Sequence, residues 1–408
     1  MEFNVSELAK HYKDIFNGMI PDDEWKNIAD DVSQRFDEEK ENLGHANIVM
    51  AGGTGVGKST LINAVFGAEL ARTGLGKPVT NKITKLETPT RPVTIYDTMG
   101  FELGGENSIE KLKEKITALV QNSRSSKERE DWIHIMWYCI SLGKPKIQDS
   151  EIEYINYLCK LGVPVILVIT QSFSKKKATE FINEISTYDI PVKEIIPVLA
   201  QDFTVDIDDE EKVVNAYGVD RLVEISFKYL PEVAQPAFVA NQRASLRLKQ
   251  ETAKKYIAVF AAANFGTAFQ PFPIADAPIL IVSEAIMMAK ISAIFGMTIN
   301  KKKWLALLSM IIGCSGATII GRSAVSGILK IIPGLGSAAG GAISGATALT
   351  LTYALGISYI KLLSLVEEGE IKQEDMFGKK AISTMKKSVR EEFNKRNNEH
   401  KGITINES

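Results

Sequence analysis

Cysteine is scarce in this chain: Cys139, Cys159 and Cys314 are the only three among 408 residues, far apart and each in apolar surroundings. That spacing excludes a disulfide framework and a cysteine metal cluster, and fits reduced core residues of a cytosolic protein. Net charge is nearly absent as well. Forty-eight basic residues stand against 50 acidic ones, a balance of −2 that gives no electrostatic ground for a polyanionic partner such as nucleic acid. The opening residues 1–37 are charged and amphipathic, so no signal peptide is expected. Charge is missing most completely in one place: residues 331–360 carry none, and across 304–360 only Arg322 and Lys330 are charged. The length suggests two or three domains of roughly 100–200 residues each.

What is present begins with a loop. Residues 52–59 read Gly-Gly-Thr-Gly-Val-Gly-Lys-Ser, after the apolar run 47–51 and before the helical pattern 59–67. Strand, glycine-rich turn and helix form the context in which G-x-x-x-x-G-K-[ST] binds phosphate. Successive backbone N–H groups converge on one concavity, and the helix N-terminus adds partial positive charge. Gly53, Thr54, Gly55, Val56, Gly57, Lys58, Ser59 and Thr60 are therefore the candidate phosphate-binding residues. Lys58 reaches the β- and γ-phosphates, and the Ser59 hydroxyl ligates Mg²⁺.

Asp97-Thr-Met-Gly100 closes the strand run 93–97. A carboxylate at a strand tip suits a water ligand of Mg²⁺, and the backbone N–H of Gly100 suits the γ-phosphate. Between the two motifs, Lys77-Pro-Val-Thr80-Asn81 shows no periodicity and reads as a loop. Thr80 is the candidate second hydroxyl ligand of Mg²⁺; the alternative is an ordinary loop threonine.

Residues 46–232 alternate strand and helix signals. Strand-like runs fall at 47–51, 82–88, 93–97, 133–140, 164–170 and 194–199; helical patterns fall at 59–67, 108–122, 149–161, 176–187 and 218–229. Such alternation predicts a mostly parallel sheet with helices on both faces, and ligands at the carboxyl ends of its strands. His134, in a strand of apolar neighbours, reads as a packing or surface residue, and Trp137 and Tyr138 as core or rim. Around this α/β domain lie an N-terminal helical segment (1–45), a basic connecting helix (233–255), an apolar all-α region (256–365) and a charged tail (366–408).

The phosphate loop, Thr80 and Asp97-Thr-Met-Gly100, in this order, resemble the TRAFAC-class GTPases, nearest the Era-like branch. The resemblance covers about 46–232. It implies a Ras-like P-loop NTPase fold with a six-stranded, mostly parallel sheet, switch loops around Thr80 and Gly100, GTP and Mg²⁺ as ligands, and GTP hydrolysis in which Lys58 and Thr80 act. Two departures are visible. Phe101 follows the second switch glycine, where Ras-like enzymes carry a water-orienting glutamine; phenylalanine cannot hold water, so slow intrinsic hydrolysis is expected. The base-reading [NT]-K-x-D falls on Thr170-Gln171-Ser172-Phe173, where threonine fits but the aspartate is lost. That aspartate gives a charge-assisted pair with guanine of about 1.5–3 kcal/mol. Gln171 keeps an aliphatic stem that can cover the base, and Ala200 stands where the family offers a backbone N–H to the guanine O6.

The apolar region allows two readings. Residues 304–326 and 335–360 are each long enough for the roughly 30 Å hydrocarbon core of a bilayer, with Lys301-Lys-Lys303 and Lys361 flanking them. The alternative is a helical domain that buries these segments in its own core. Residues 271–278, 330–336 and 350–356 resemble the helical domain of unknown function fused to bacterial Era-like GTPases. The order, G domain then apolar helices, is distantly similar to interferon-inducible immunity GTPases. The expectation is a guanine-nucleotide switch with a cytoplasmic G domain, membrane association through 304–360, and nucleotide-dependent self-association as a further possibility. Its alternatives are a non-hydrolysing nucleotide-dependent interaction protein and a membrane-remodelling effector.

Overall fold

A computed structural model of the chain describes residues 43–67, 77–80, 83–88, 91–98, 106–144, 146–207, 210–265, 272–273, 277–297, 342–343, 345–376 and 378–406. Internal contacts separate two compact units, Leu43–Leu248 and a second that takes in Lys249–Ser408. Gly100, Phe101, Cys314, the expected helix within 1–42 and the run 304–326 lie outside the described residues.

The first unit is built on a sheet of seven strands: β1 (Ala46–Gly52), β2 (Lys77–Thr80), β3 (Ile83–Thr88), β4 (Arg91–Thr98), β5 (Ile135–Ser141), β6 (Val165–Thr170) and β7 (Glu194–Pro197). Their order across the sheet is β2-β3-β4-β1-β5-β6-β7. Only β3 runs against its neighbours; the pairs β4-β1, β1-β5, β5-β6 and β6-β7 are parallel. β1, β5 and β6 are buried at every position, which is why they read as unbroken apolar runs rather than alternating ones. Five helices follow the strands: α1 (Lys58–Phe66), α2 (Glu106–Arg124), α3 (Asp149–Lys160), α4 (Lys175–Ile185) and α5 (Val219–Tyr229).

Side-chain alternation divides the core. Val49, Ala51, Met136, Tyr138, Ile140, Leu167 and Ile169 point to one face and pack on Ile116 of α2, Tyr154 and Ile155 of α3 and Phe181 of α4. On the other, Trp137 stacks on Phe66 of α1 at 6.2 Å between ring centroids. Its indole Nε1 donates to Ser226 Oγ of α5 at 2.9 Å, so the buried ring keeps its polar atom satisfied. His134 is buried and structural: Nδ1 accepts from Asn47 N–H at 3.0 Å and Nε2 donates to the Arg129 carbonyl at 2.8 Å. Burial holds this imidazole below its usual pKa, the Arg129 bond opposing.

Three features depart from the sequence expectation. The six expected strands carry a seventh, β2, along the segment read as a loop. It pairs antiparallel with β3 and shifts register between Pro78 and Thr80; a proline-bearing four-residue edge strand has too little length for a periodic signal. Residues 203–214, read as no element, form the hairpin β8 (Phe203–Ile207) and β9 (Glu210–Val214). The connecting helix expected over 233–255 is two helices, α6 (Gln235–Asn241) and α7 (Leu246–Phe265). Gln242 makes the break: its Oε1 accepts from Ser245 N–H at 2.8 Å and its Nε2 donates to Ser245 O at 2.9 Å. Ser245 Oγ then accepts from Leu248 N–H at 3.2 Å and starts α7. α6 packs under the sheet, where Phe238 meets Phe66 edge-on at 6.0 Å.

The second unit joins α7 to α8 (Ala277–Ile294), α9 (Gly345–Glu367) and α10 (Lys379–Asn406). Polar pairs link these helices inside an apolar interior. Lys249 Nζ donates to Glu367 at 2.8 Å and to the Phe295 carbonyl at 3.1 Å. Gln250 Nε2 donates to Ser364 Oγ at 2.8 Å, Ser292 and Tyr359 share a hydrogen bond of 2.8 Å, and Thr352 donates to the buried Glu284. Gly356 lets α7 approach α9, since a Cβ there would lie 2.6 Å from Ile257 Cδ1. Leu349–Glu367 is the one described helix segment long and apolar enough to cross a membrane, and 61% of its most apolar stretch is buried.

Candidate functional site

The carboxyl ends of β1, β4, β5 and β6 meet at the loop after β1. That loop cannot follow an ordinary strand path: Gly52 has φ +134, and a Cβ there would lie 2.3 Å from the Cys139 carbonyl oxygen. Gly55 differs. Its φ is +74, again outside the range side chains favour, but nothing lies within 4 Å of where its Cβ would be. The loop is thus pressed against β5 at its start and open at its middle, where Thr54 and Gly55 are exposed. Val56 turns inward and is buried. Gly57, left-handed, starts α1, whose first-turn N–H groups have no partner within the helix.

Lys58, 8% exposed, folds back over the loop and donates to the Gly52 and Gly53 carbonyls at 3.1 and 3.0 Å. Its ammonium is therefore held at the concavity by weak neutral acceptors rather than by a carboxylate. Ser59 is exposed beside it and Thr60 is half-buried. Asp97 enters from β4, where it pairs with Met50 across the sheet. Its Oδ1 is buried with no hydrogen-bond partner among the described residues. Burial pushes the Asp97 carboxyl above its usual pKa, and the Lys58 charge pulls it partly back. The neighbouring Thr98 is structural, its Oγ1 donating to Met50 O at 3.1 Å. Cys139 is no nucleophile: burial pushes its thiol up to about 12. No cluster of three His, Cys, Asp or Glu side chains capable of holding a metal occurs among the described residues. A hydroxyl and one orphaned carboxylate beside an open anion cradle suit a hard ion such as Mg²⁺, which takes few protein ligands and shares its shell with phosphate and water. Thr80 ends β2, and its side chain lies outside the described residues.

Beyond the phosphate loop, the turn after β6 closes the site. Thr170 is buried and its Oγ1 donates to the Val56 carbonyl at 2.5 Å and the Ile140 carbonyl at 3.0 Å, pinning the loop to β5 and β6. Gln171 takes φ +52, the only positive value at a non-glycine among the described residues, a conformation costly for a residue with a Cβ. Its Nε2 donates to Gly55 O at 3.1 Å, and its Oε1 accepts from Ser141 Oγ at 2.5 Å. Ser141 was not singled out in the sequence; its signal was a hydroxyl ending an otherwise apolar strand. Ala200 follows Leu199, which exchanges two backbone hydrogen bonds of 3.0 Å with Tyr217.

This sheet, loop and strand-tip carboxylate define a Ras-like P-loop GTPase fold followed by a helical region. Residues 47–171 match the family described as 50S ribosome-binding GTPase. Residues 238–398 match a domain of unknown function, DUF697. Among solved structures, a probable GTP-binding protein engB is 24% identical over 38% of this chain and 89% of its own, with a TM-score of 0.28. Era of Aquifex aeolicus bound to GDP and aluminium fluoride is 20% identical over 53% of this chain and 68% of its own, TM-score 0.33. Era in complex with MgGDPNP and a segment of 16S ribosomal RNA is 21% identical over 52% and 67%, TM-score 0.31. No curated protein matches the chain.

Proposed function

We propose that this chain binds GTP with Mg²⁺, hydrolyses it slowly to GDP, and uses the bound state as a switch. The observation that carries the reading is one juxtaposition: an open anion cradle at Gly55, a lysine resting on loop carbonyls, and a buried carboxylate oxygen lacking a partner among the described residues. When the polyphosphate enters, the Lys58 ammonium exchanges the Gly52 and Gly53 carbonyls for phosphate oxygens, which are stronger, charged acceptors. The N–H groups of the loop and of the first turn of α1 hold the remaining oxygens. Ser59 and Asp97 are the described residues that would hold Mg²⁺, with Thr80 as the proposed third, and the ion when bound neutralises charge on the phosphates. Phe101 has no group to orient water, so turnover depends on whatever else reaches the γ-phosphate.

The same reading makes α6 and α7 the exit of the signal. The Phe238 ring packs on α1 at Phe66, and Arg243 N–H donates to the Val65 carbonyl at 2.8 Å. α7 then continues by chain into the helical unit. Membrane association through 304–360 and nucleotide-driven self-association are separate proposals. The first is supported by the apolar run, while the inward polar contacts of α9 favour a core helix.

Titration of the full chain with GTP, GDP and ATP, with and without Mg²⁺, tests the central claim. Wild type is expected to bind GTP only weakly without Mg²⁺, and Lys58→Ala to bind little under either condition. Phosphate release measured with and without liposomes tests the coupling; no release under any condition would favour a nucleotide-dependent interaction protein that does not hydrolyse.

A further inference from the structure

Two large aromatic rings stand exposed together beside the phosphate loop. Phe173 is 36% exposed and Phe203 45%, with ring centroids 5.9 Å apart and planes tilted by 32°. They come from different segments, the turn after β6 and the start of the hairpin after β7. Both segments are fixed. Ser172 N–H donates to the Val198 carbonyl at 3.1 Å, Tyr217 Oη donates to the Ser172 carbonyl at 2.7 Å, and the Leu199–Tyr217 bridge closes the base of the hairpin. Lys175 Nζ lies 5.0 Å over the Tyr217 ring. The left-handed Gln171, two residues before Phe173, is bonded to Gly55 and ties this aromatic wall to the phosphate cradle.

We infer that Phe173 and Phe203 form the base platform of the nucleotide site, so that it takes purine nucleoside triphosphates by aromatic contact and accepts ATP with an affinity close to that for GTP. The inference rests on the nucleotide reading given above. Phe173 stands where a guanine-reading carboxylate would be needed. The nearest acid on these segments, Asp202, already accepts the Ala216 N–H at 2.7 Å. Every purine presents a π-face, whereas only guanine presents the N1–H and 2-amino edge that a carboxylate reads. Contact through rings is therefore tolerant of the base, and its loss on alanine substitution weakens binding by about 5- to 150-fold.

The test measures equilibrium binding of GTP, ATP and inorganic tripolyphosphate to the full chain with Mg²⁺. The proteins compared are wild type, Phe173→Ala, Phe203→Ala, Phe203→Tyr, Asp202→Asn and Lys58→Ala. The expected result is a GTP/ATP affinity ratio within about tenfold in wild type. Each alanine variant loses affinity for both nucleotides alike, tripolyphosphate binding is unchanged, and Phe203→Tyr retains binding. If Phe173→Ala does not fold, Phe173→Leu keeps the apolar volume and removes the π-face. A preference for GTP above about 100-fold overturns the inference, and its disappearance in Asp202→Asn would make Asp202 the reader of guanine. Folded alanine variants with unchanged affinities also overturn it and leave the rings as a surface for another macromolecule. Tripolyphosphate binding as tight in Lys58→Ala as in wild type would instead break the phosphate-loop reading.

Discussion

Asp97→Asn separates what the nucleotide site costs the empty fold from what it gives the loaded one. The Asp97 carboxyl is pushed above its usual pKa by burial, with Oδ1 unpartnered among the described residues. A carboxyl whose folded pKa is raised stabilises the fold below its unfolded pKa, and loses that contribution as pH rises through the folded value. Where that carboxyl is ionised, the nucleotide-free protein holds a charge that its surroundings disfavour. An unsatisfied buried acceptor costs about 1–3 kcal/mol, and more when it is charged. Asparagine removes the charge but also forfeits the attraction of Lys58, so a net gain of about 1 kcal/mol is expected. For a unit the size of Leu43–Leu248, that is a rise in melting temperature of about 2–4 °C. With Mg²⁺ and GTP at a hundred times the dissociation constant, the wild type gains about 2.7 kcal/mol, while the variant lacks its metal-side carboxylate and gains far less. The order of the two melting temperatures should cross. Differential scanning calorimetry of nucleotide-stripped protein, first in EDTA and then in Mg²⁺ with GTP, reads both halves. A variant less stable than wild type in EDTA, or one gaining equally from Mg²⁺ and GTP, would refute the reasoning.

Gly52→Ala should destabilise the first unit by several kcal/mol, because its Cβ meets a backbone oxygen that cannot move alone. Gly55→Ala should cost only about 1–2 kcal/mol from its left-handed backbone and still weaken nucleotide binding; urea melts and GTP titration read the two effects apart. Trp137→Ala removes a fully buried ring and leaves Ser226 without its donor, and should cost about 3–5 kcal/mol in the same melts. In the helical unit, burial pushes Glu284 up to about 7, with the Thr352 hydroxyl opposing. Its contribution is full below the unfolded value of 4.5 and is lost as pH rises through 7, so melting temperature should fall by the equivalent of about 3 kcal/mol over that window. Glu284→Gln should flatten the fall.

The glycine-rich loop after β1 was legible because its geometry is carried by backbone. A turn that must present N–H groups needs glycine at set places, and a buried strand before it must be apolar, so both leave marks in composition and order. The parallel sheet was legible for a related reason: β1, β5 and β6 are buried at every position and carry only one polar side chain each, because both faces are covered. The base side was not. Ser141, Gln171, Phe173 and Phe203 come together only through the pairing of β5 with β6 and the closure of a hairpin whose strands mix polar and apolar residues. In sequence the two phenylalanines are 30 residues apart (203 − 173) and share no period. The break between α6 and α7 escaped because Gln242 and Ser245, both ordinary helix residues, act through bonds to each other's backbone and side chain.

Hydropathy alone does not decide between bilayer and core where a helix is apolar almost all round. Counted residue by residue, α9 passes as a membrane span, and a count has no access to direction. In three dimensions four of its polar side chains find partners on the other helices, while Lys361 is exposed. Thr352 meets Glu284, Tyr359 meets Ser292, Ser364 meets Gln250, and Glu367 meets the 3%-exposed Lys249. Glycine at 356 brings α7 against the same helix. A helix set in lipid would also turn polar groups inward, so direction alone does not decide between solvents. What weighs toward a water-soluble core is the Lys249–Glu367 pair: it closes the helix end with full charges on two different helices, and Glu367 keeps 26% of its side chain exposed. Liposome flotation of the full chain and of Tyr359→Phe then divides the cases. A core helix predicts that wild type stays in the aqueous layer, while the variant, which loses its bond to Ser292, melts earlier without floating.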